Sequence, residues 1–71
     1  MTNKNYEINI FKNIIHIKNY LLILDYNKNN IVIKLLNMKL NIYGSNLLIN
    51  KLDEYELTIL GIVNKMEYIY E

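Results

Sequence analysis

Apolar side chains recur at every second position along much of this chain, and that period most limits the folds open to it. Ile8 and Ile10 flank Asn9, Ile15 and Ile17 flank His16, and Ile31 and Ile33 straddle Val32. Leu40 and Ile42 alternate with Lys39, Asn41 and Tyr43, and Leu57 and Ile59 flank Thr58. Successive side chains of an extended strand point to opposite faces, so each run buries one side and shows the other to water. Local preference agrees, because the chain has no alanine while Ile and Tyr are frequent. Polar punctuation separates the runs at Lys12-Asn13, Lys18-Asn19, residues 27–30, Asn37, Gly44-Ser45 and residues 51–54. Turn signals about eight to twelve residues apart belong to meanders, barrels and sandwiches. The expectation is one all-β domain over residues 1–71: a small antiparallel meander, sandwich-like or a partly open barrel, of about six to eight short strands.

Two segments compete for helix. Ile14, Ile17, Leu21 and Leu24 would form one stripe at three- and four-residue steps. Against it stand β-branched pairs, an internal Asn19 and no convincing cap after the segment. Asp53 could cap a single helical turn, but the alternation of Leu57 and Ile59 favours a strand.

The turns follow from residue chemistry. Residues 27–30 (Asn-Lys-Asn-Asn) read as a polar hairpin loop in which Asn tolerates positive φ, and Asn37 supplies a left-handed residue between Leu35 and Leu40. Gly44-Ser45 fits a two-residue turn between Ile42-Tyr43 and Asn46-Leu47. Residues 51–55 form a charged connection. Gly61 interrupts what otherwise reads as one strand from Tyr55 to Tyr70, and glycine inside a strand marks a bulge or a close backbone approach. Apolar parity also changes there, from Ile59 and Val63 to Met66 and Tyr68, which predicts a bulge or break between Gly61 and Met66.

A chain of 71 residues buries only about 60% of the surface its unfolded form exposes. Its single core contributes no more than about 3 to 5 kcal/mol unless something staples it. There is no cysteine for a disulfide, and His16, the one histidine, has no cysteine partners for a structural zinc site. Oligomerisation or docking on a partner is the stabiliser left. The longest apolar run, Tyr20 to Leu24, is far shorter than the roughly 20 residues of a membrane span, and residues 1–7 are too polar for a secretory signal. A cytoplasmic protein without direct membrane insertion is expected. A net charge of +1 provides no field to steer nucleic acid or an anionic membrane.

Along nearly the whole chain run Ile15-x-Ile17-x-Asn19-Tyr20, then Ile23-Leu24-x-Tyr26 and Ile31-x-Ile33. They continue with Leu40-x-Ile42-x-Gly44-x-Asn46-Leu47-x-Ile49 and Glu56-Leu57-x-Ile59-x-Gly61-x-Val63-x-x-Met66-x-Tyr68. In the order and spacing of these elements the chain resembles the YabP/YqfC family of sporulation proteins. The most specific part is the pair of glycines in apolar settings, Gly44 before Asn46-Leu47 and Gly61 before Val63. Asn19-Tyr20 leading into Ile23-Leu24-x-Tyr26 looks closer to the YqfC side, and Asn37 stands where members often have glycine. The resemblance implies a part in endospore formation, acting in the mother cell beside sporulation membrane proteins, and no enzymatic activity. It names a process and leaves the mechanism open.

Candidate sites read mostly as structure. His16 points away from Ile15 and Ile17 with no partner at a fixed spacing, so an enzymatic reading requires a pocket that holds it beside a carboxylate. Asp53, Glu54 and Glu56 are the one acidic cluster, and they lack the alternating ligand positions and central glycine of a calcium loop. No catalytic residue, metal ligand or cofactor is expected. Seven tyrosines, Phe11 and eight basic residues, all lysine, could serve a small barrel that binds single-stranded nucleic acid. The lysines are scattered, however, and Tyr suits half-buried strands. That leaves sheet edges, whose unpaired backbone groups invite another strand. The expected interface is residues 6–10 (Tyr6, Ile8, Ile10) or residues 66–70 (Met66, Tyr68, Tyr70). It would join an identical subunit or a membrane-associated sporulation partner, and through that partner the forespore membrane.

Overall fold

The computed structural model describes residues 5–71. Of residues 1–7, read above as too polar for a signal, the first four therefore lie outside the described residues. The strands are β1 (Glu7–Phe11), β2 (Ile14–Lys18), β3 (Leu22–Asn27), β4 (Asn30–Leu35), β5 (Met38–Leu52) and β6 (Glu56–Tyr70). All pairings are antiparallel, in one open six-stranded sheet of order β1-β2-β6-β5-β4-β3. No helix occurs among the described residues. The competing stripe from Ile14 to Leu24 is divided between β2 and β3 by Asn19, which takes a φ of 60°.

Four strands are short, as expected, but β5 and β6 run for 15 residues each. Straight strands of that length would reach roughly 45 to 50 Å. The longest extent of the whole molecule is 38 Å, so this central hairpin is bent. β4 lies along the first part of β5, from Leu35↔Met38 to Asn30↔Tyr43, and β2 lies along the first part of β6, from Lys18↔Glu56 to Ile14↔Leu60. Two wings therefore flank opposite ends of the hairpin, β1-β2 on one and β3-β4 on the other.

The bend sits where register slips. Tyr43 pairs Lys65 but Gly44 pairs Val63, so Asn64 is an extra residue on β6, inside the interval where sequence parity placed a bulge. Further slips fall between Ser45 and Leu48 and between Ile49 and Lys51 on β5. At this point the backbones approach too closely for a side chain. A Cβ on Gly44 would lie 1.9 Å from the Ile62 carbonyl oxygen, and one on Gly61, at φ +133°, would lie 2.7 Å from that of Asn46. Asn46 itself is left-handed, at φ 53°. Gly44-Ser45 is thus no tight turn, because β5 passes straight through it; the glycine is needed for contact with β6 rather than for reversal.

Bending brings the apolar faces of the two wings together. Ile15, Ile17, Leu57 and Ile59 from one side and Ile31, Ile33, Leu35, Met38, Leu40 and Ile42 from the other form one cluster with Leu47, each almost fully buried. A flat sheet would leave such side chains wet on one face, so their burial is the signature of the fold-over. Among the described residues no polar or charged residue is buried.

Turn chemistry is partly as expected. Asn37 is left-handed (φ 64°), but residues 27–30 close without positive φ. Asn27 Oδ1 instead accepts the backbone N–H groups of Asn29 and Asn30 at 2.8 and 2.9 Å, a side-chain turn that holds the loop. Left-handed geometry falls to Lys12 in the β1-β2 turn. The charged connection shrinks to Asp53, Glu54 and Tyr55 because β5 continues to Leu52. Asp53 caps there without a helix: its Oδ1 accepts from the N–H groups of Tyr55 and Glu56 at 2.9 and 2.8 Å.

Candidate functional site

Strand order decides which backbone groups are left open. β2 covers β6 only over residues 56–60, and among the described residues no strand pairs with the same side of residues 63–70. β1 and β3 are the outer strands of the sheet. These edges are not equally protected. β3 carries an extra residue, Leu24, between Ile23↔Ile33 and Asp25↔Val32, and β5 carries a slip between Ile49 and Lys51 on its own uncovered stretch. Bulges of this kind twist an edge away from a partner. The free side of β6 has its bulge at Asn64, and from Lys65 onward its register is regular.

The proposed interface residues divide accordingly. Tyr6 and Ile8 are half-buried against the core, and the Tyr6 hydroxyl donates to Met38 Sδ at 3.5 Å. Ile10, paired with buried Ile15, is 57% exposed because it is on the outermost strand. Met66 packs on the core, whereas Tyr68 and Tyr70, on the same face as buried Leu40 and Met38, are 46% and 77% exposed. Asn37 lies at the β4-β5 turn, where its carbonyl accepts the Glu71 N–H at 3.1 Å, and Gly44, Ser45 and Gly61 lie at the bend.

A second surface was hidden from period-two reasoning. Phe11↔Ile14, Ile14↔Leu60 and Leu48↔Leu60 form a continuous apolar row across β1, β2, β6 and β5 on the outward face of the first wing. Phe11 and Leu48 are 69% and 49% exposed. The signal for it lies in adjacent apolar residues, Ile14-Ile15, Leu47-Leu48 and Ile59-Leu60, where one member of each pair has to face out.

The next outward rows are polar. Asn9, His16, Thr58 and Lys51 follow one another across the strands, and Lys18 stands opposite Glu56. That register places Glu56 diagonal to His16, and His16 Nε2 meets Glu56 Oε1 at 2.8 Å from 40 residues away. The pair lines an open cavity of ≈ 320 Å³ with Lys51, Asp53, Leu57 and Thr58. This is the arrangement an enzymatic reading requires, and sequence spacing gave no sign of it. Both side chains are substantially solvated, and among the described residues nothing holds the other imidazole nitrogen. Catalytic histidines are oriented through that second nitrogen. The two backbone N–H bonds hold the neighbouring Asp53 carboxyl below the usual aspartate range, with Lys51 adding a smaller pull. Among the described residues no group of three acidic or histidine side chains is placed to hold a metal ion.

The tyrosines do not share one platform. Tyr20 donates to the Asp53 carbonyl at 2.6 Å, Tyr26 accepts the Ile49 N–H at 2.9 Å, and Tyr43 lies under the Lys65 ammonium at 5.7 Å. No helix among the described residues is long and apolar enough to cross a membrane.

Fold and surfaces together define a class: a small antiparallel β-protein whose long central hairpin folds over on paired glycines and, among the described residues, leaves a strand edge open. The chain belongs to the YabP family, whose family model matches residues 3–71 and with it both glycines and every strand. This membership fits a sporulation protein. No curated protein and no solved structure matches the chain.

Proposed function

We propose that the chain is a non-enzymatic sporulation protein of the YqfC-like kind, which assembles with itself or with a membrane-associated partner in the mother cell during endospore formation. It resides in the cytoplasm and reaches the forespore membrane through that partner. The observation that carries this reading is the open, regular backbone edge of β6 beyond Asn64. Unpaired N–H and C=O groups in a row accept a further strand, and small domains gain needed stability from the apolar area such pairing buries. The outward row through Phe11 and Leu48 adds apolar surface that association would cover. Solvation of the His16–Glu56 pair, and its lack of an orienting third group among the described residues, support a structural role for it.

Deleting the gene in a spore-forming host should lower the yield of heat-resistant spores. Complementation with His16→Ala or Glu56→Gln should restore that yield, whereas Tyr68→Lys with Tyr70→Lys, which sets charges along the open edge, should not. Full rescue by the edge variant together with failure of the His16 and Glu56 variants would reverse the assignment in favour of chemistry.

A further inference from the structure

The geometry points to a specific occupant for the open edge: the same segment of a second copy, paired antiparallel about a two-fold axis at Tyr68. This rests on the assembly reading above and names its partner and register. A two-fold perpendicular to the sheet keeps outward residues facing outward residues, so only registers centred on a residue are allowed. Lys65, Glu67, Ile69 and Glu71 alternate with Met66, Tyr68 and Tyr70 along this edge. Centring on Lys65 or Glu67 sets two like charges directly opposite, and centring on Ile69 sets Glu67 against Glu71 of the other copy, all unfavourable. Centring on Met66 matches Lys65 with Glu67 but draws the Asn64 bulge into the ladder, opposite Tyr68.

Centring on Tyr68 avoids both faults. Residues 65–71 then pair without a bulge, and Lys65 faces Glu71 of the second copy at both ends. Glu67 faces Ile69, Met66 faces Tyr70, and Tyr68 faces its own copy. On the outward side Lys65, 3.5 Å from Glu67 of its own strand, comes opposite the Glu71 that already meets Lys34, so at each end of the pairing the two ion pairs join across the two-fold with charges alternating in sign. The core-facing side covers Tyr68 and Tyr70, which the fold turns inward but leaves exposed. The other edges offer a second copy less: β3 is interrupted by its bulge at Leu24 and carries Asp25, and β1 is only five residues long.

The chain contains no cysteine, so introduced thiols report register directly. Residues directly opposite in an antiparallel pair have Cβ atoms about 4.5 to 5.5 Å apart, close enough for a disulfide after a small adjustment. Under mild oxidation of the full chain, Tyr68→Cys should give a covalent dimer. Met66→Cys alone should not, and Met66→Cys with Tyr70→Cys should. Circular dichroism confirms that each variant keeps its strand content, and sedimentation equilibrium of the unmodified chain reports association independently. Lys65→Glu should weaken the dimer by about tenfold or more, and adding Glu71→Lys should restore it. Cross-linking through Met66→Cys alone, or through Ile10→Cys, with none through Tyr68→Cys would overturn the register while leaving assembly intact. A monomer at high micromolar concentration, with no cross-link from any of these cysteines, would overturn self-pairing, and the spore-yield test then decides whether a membrane-associated partner takes the edge.

Discussion

The two wings bury similar inner faces but present different outer ones. On the β3-β4 wing the outward rows are largely polar: Asn30, Tyr43 and Lys65 in one, Val32, Asn41 and Glu67 in the next, and Lys34, Lys39 and Ile69 in the last. On the β1-β2 wing the row nearest the bend is wholly apolar, from Phe11 through Ile14 and Leu60 to Leu48, and polar rows resume only beyond it. The inner faces are alike because the bend presses them into one cluster, so both answer to the same packing. Nothing within the chain imposes such agreement on the outer faces.

The comparison holds only if the bend joins the wings into one unit, and the largest effect is expected there. Gly61→Val should cost at least about 3 kcal/mol, because a β-branched residue would have to adopt φ +133° with its Cβ against the Asn46 carbonyl. In so small a domain that leaves most molecules unfolded, as loss of the strand signal in circular dichroism would show. Retention of native stability would mean that the wings do not depend on this crossing.

Next come the inner faces. Ile33→Ala in one wing and Ile59→Ala in the other should each cost about 2 to 5 kcal/mol, with a single shared urea transition. Two separable transitions would show that the wings fold apart.

Outer faces should respond much less. Ile14→Thr and Leu60→Thr, in the apolar row, should change folding stability by under about 1 kcal/mol while improving solubility at high concentration, whereas Val32→Thr on the other wing should change neither. Removing the His16–Glu56 contact by Glu56→Gln should likewise cost under about 1 kcal/mol, since exposed pairs contribute little.

The smallest effect concerns pH. Asp53 has its carboxyl pKa lowered in the folded state by the Tyr55 and Glu56 N–H groups, so the stability it adds is fully present above the ordinary aspartate range. It is lost as pH falls below that range and through the folded value. Asp53→Asn should therefore flatten the acid limb of a stability-against-pH curve slightly and leave the neutral region almost unchanged. A variant curve that parallels the original at acid pH would show that this turn contributes nothing to acid sensitivity.

Much of the architecture could be read along the chain. The alternating residues Ile15, Ile17, Ile31, Ile33, Leu40, Ile42, Leu57 and Ile59 are all core, because a period of two needs only a strand to have an inside. Parity around Gly61 placed a bulge in the interval that holds Asn64. Gly44-Ser45 was misread as a reversal, since a glycine that admits a neighbouring backbone and one that turns the chain look the same locally. The His16–Glu56 pair and the apolar outward row stayed out of view because each depends on which strands become neighbours across long separations.

By itself the sequence determined the strand character, the inward side of the alternating runs and one of the places where register breaks, between Gly61 and Met66, since these follow from side-chain alternation and local backbone preference. Only the tertiary structure decided that β5 and β6 are each one long strand, that they bend where Gly44 and Gly61 admit the opposing backbone, and that among the described residues no strand covers residues 63–70 on the β2 side. Those outcomes depend on how far one strand outruns its neighbour, and that length is set by the packing of the two wings.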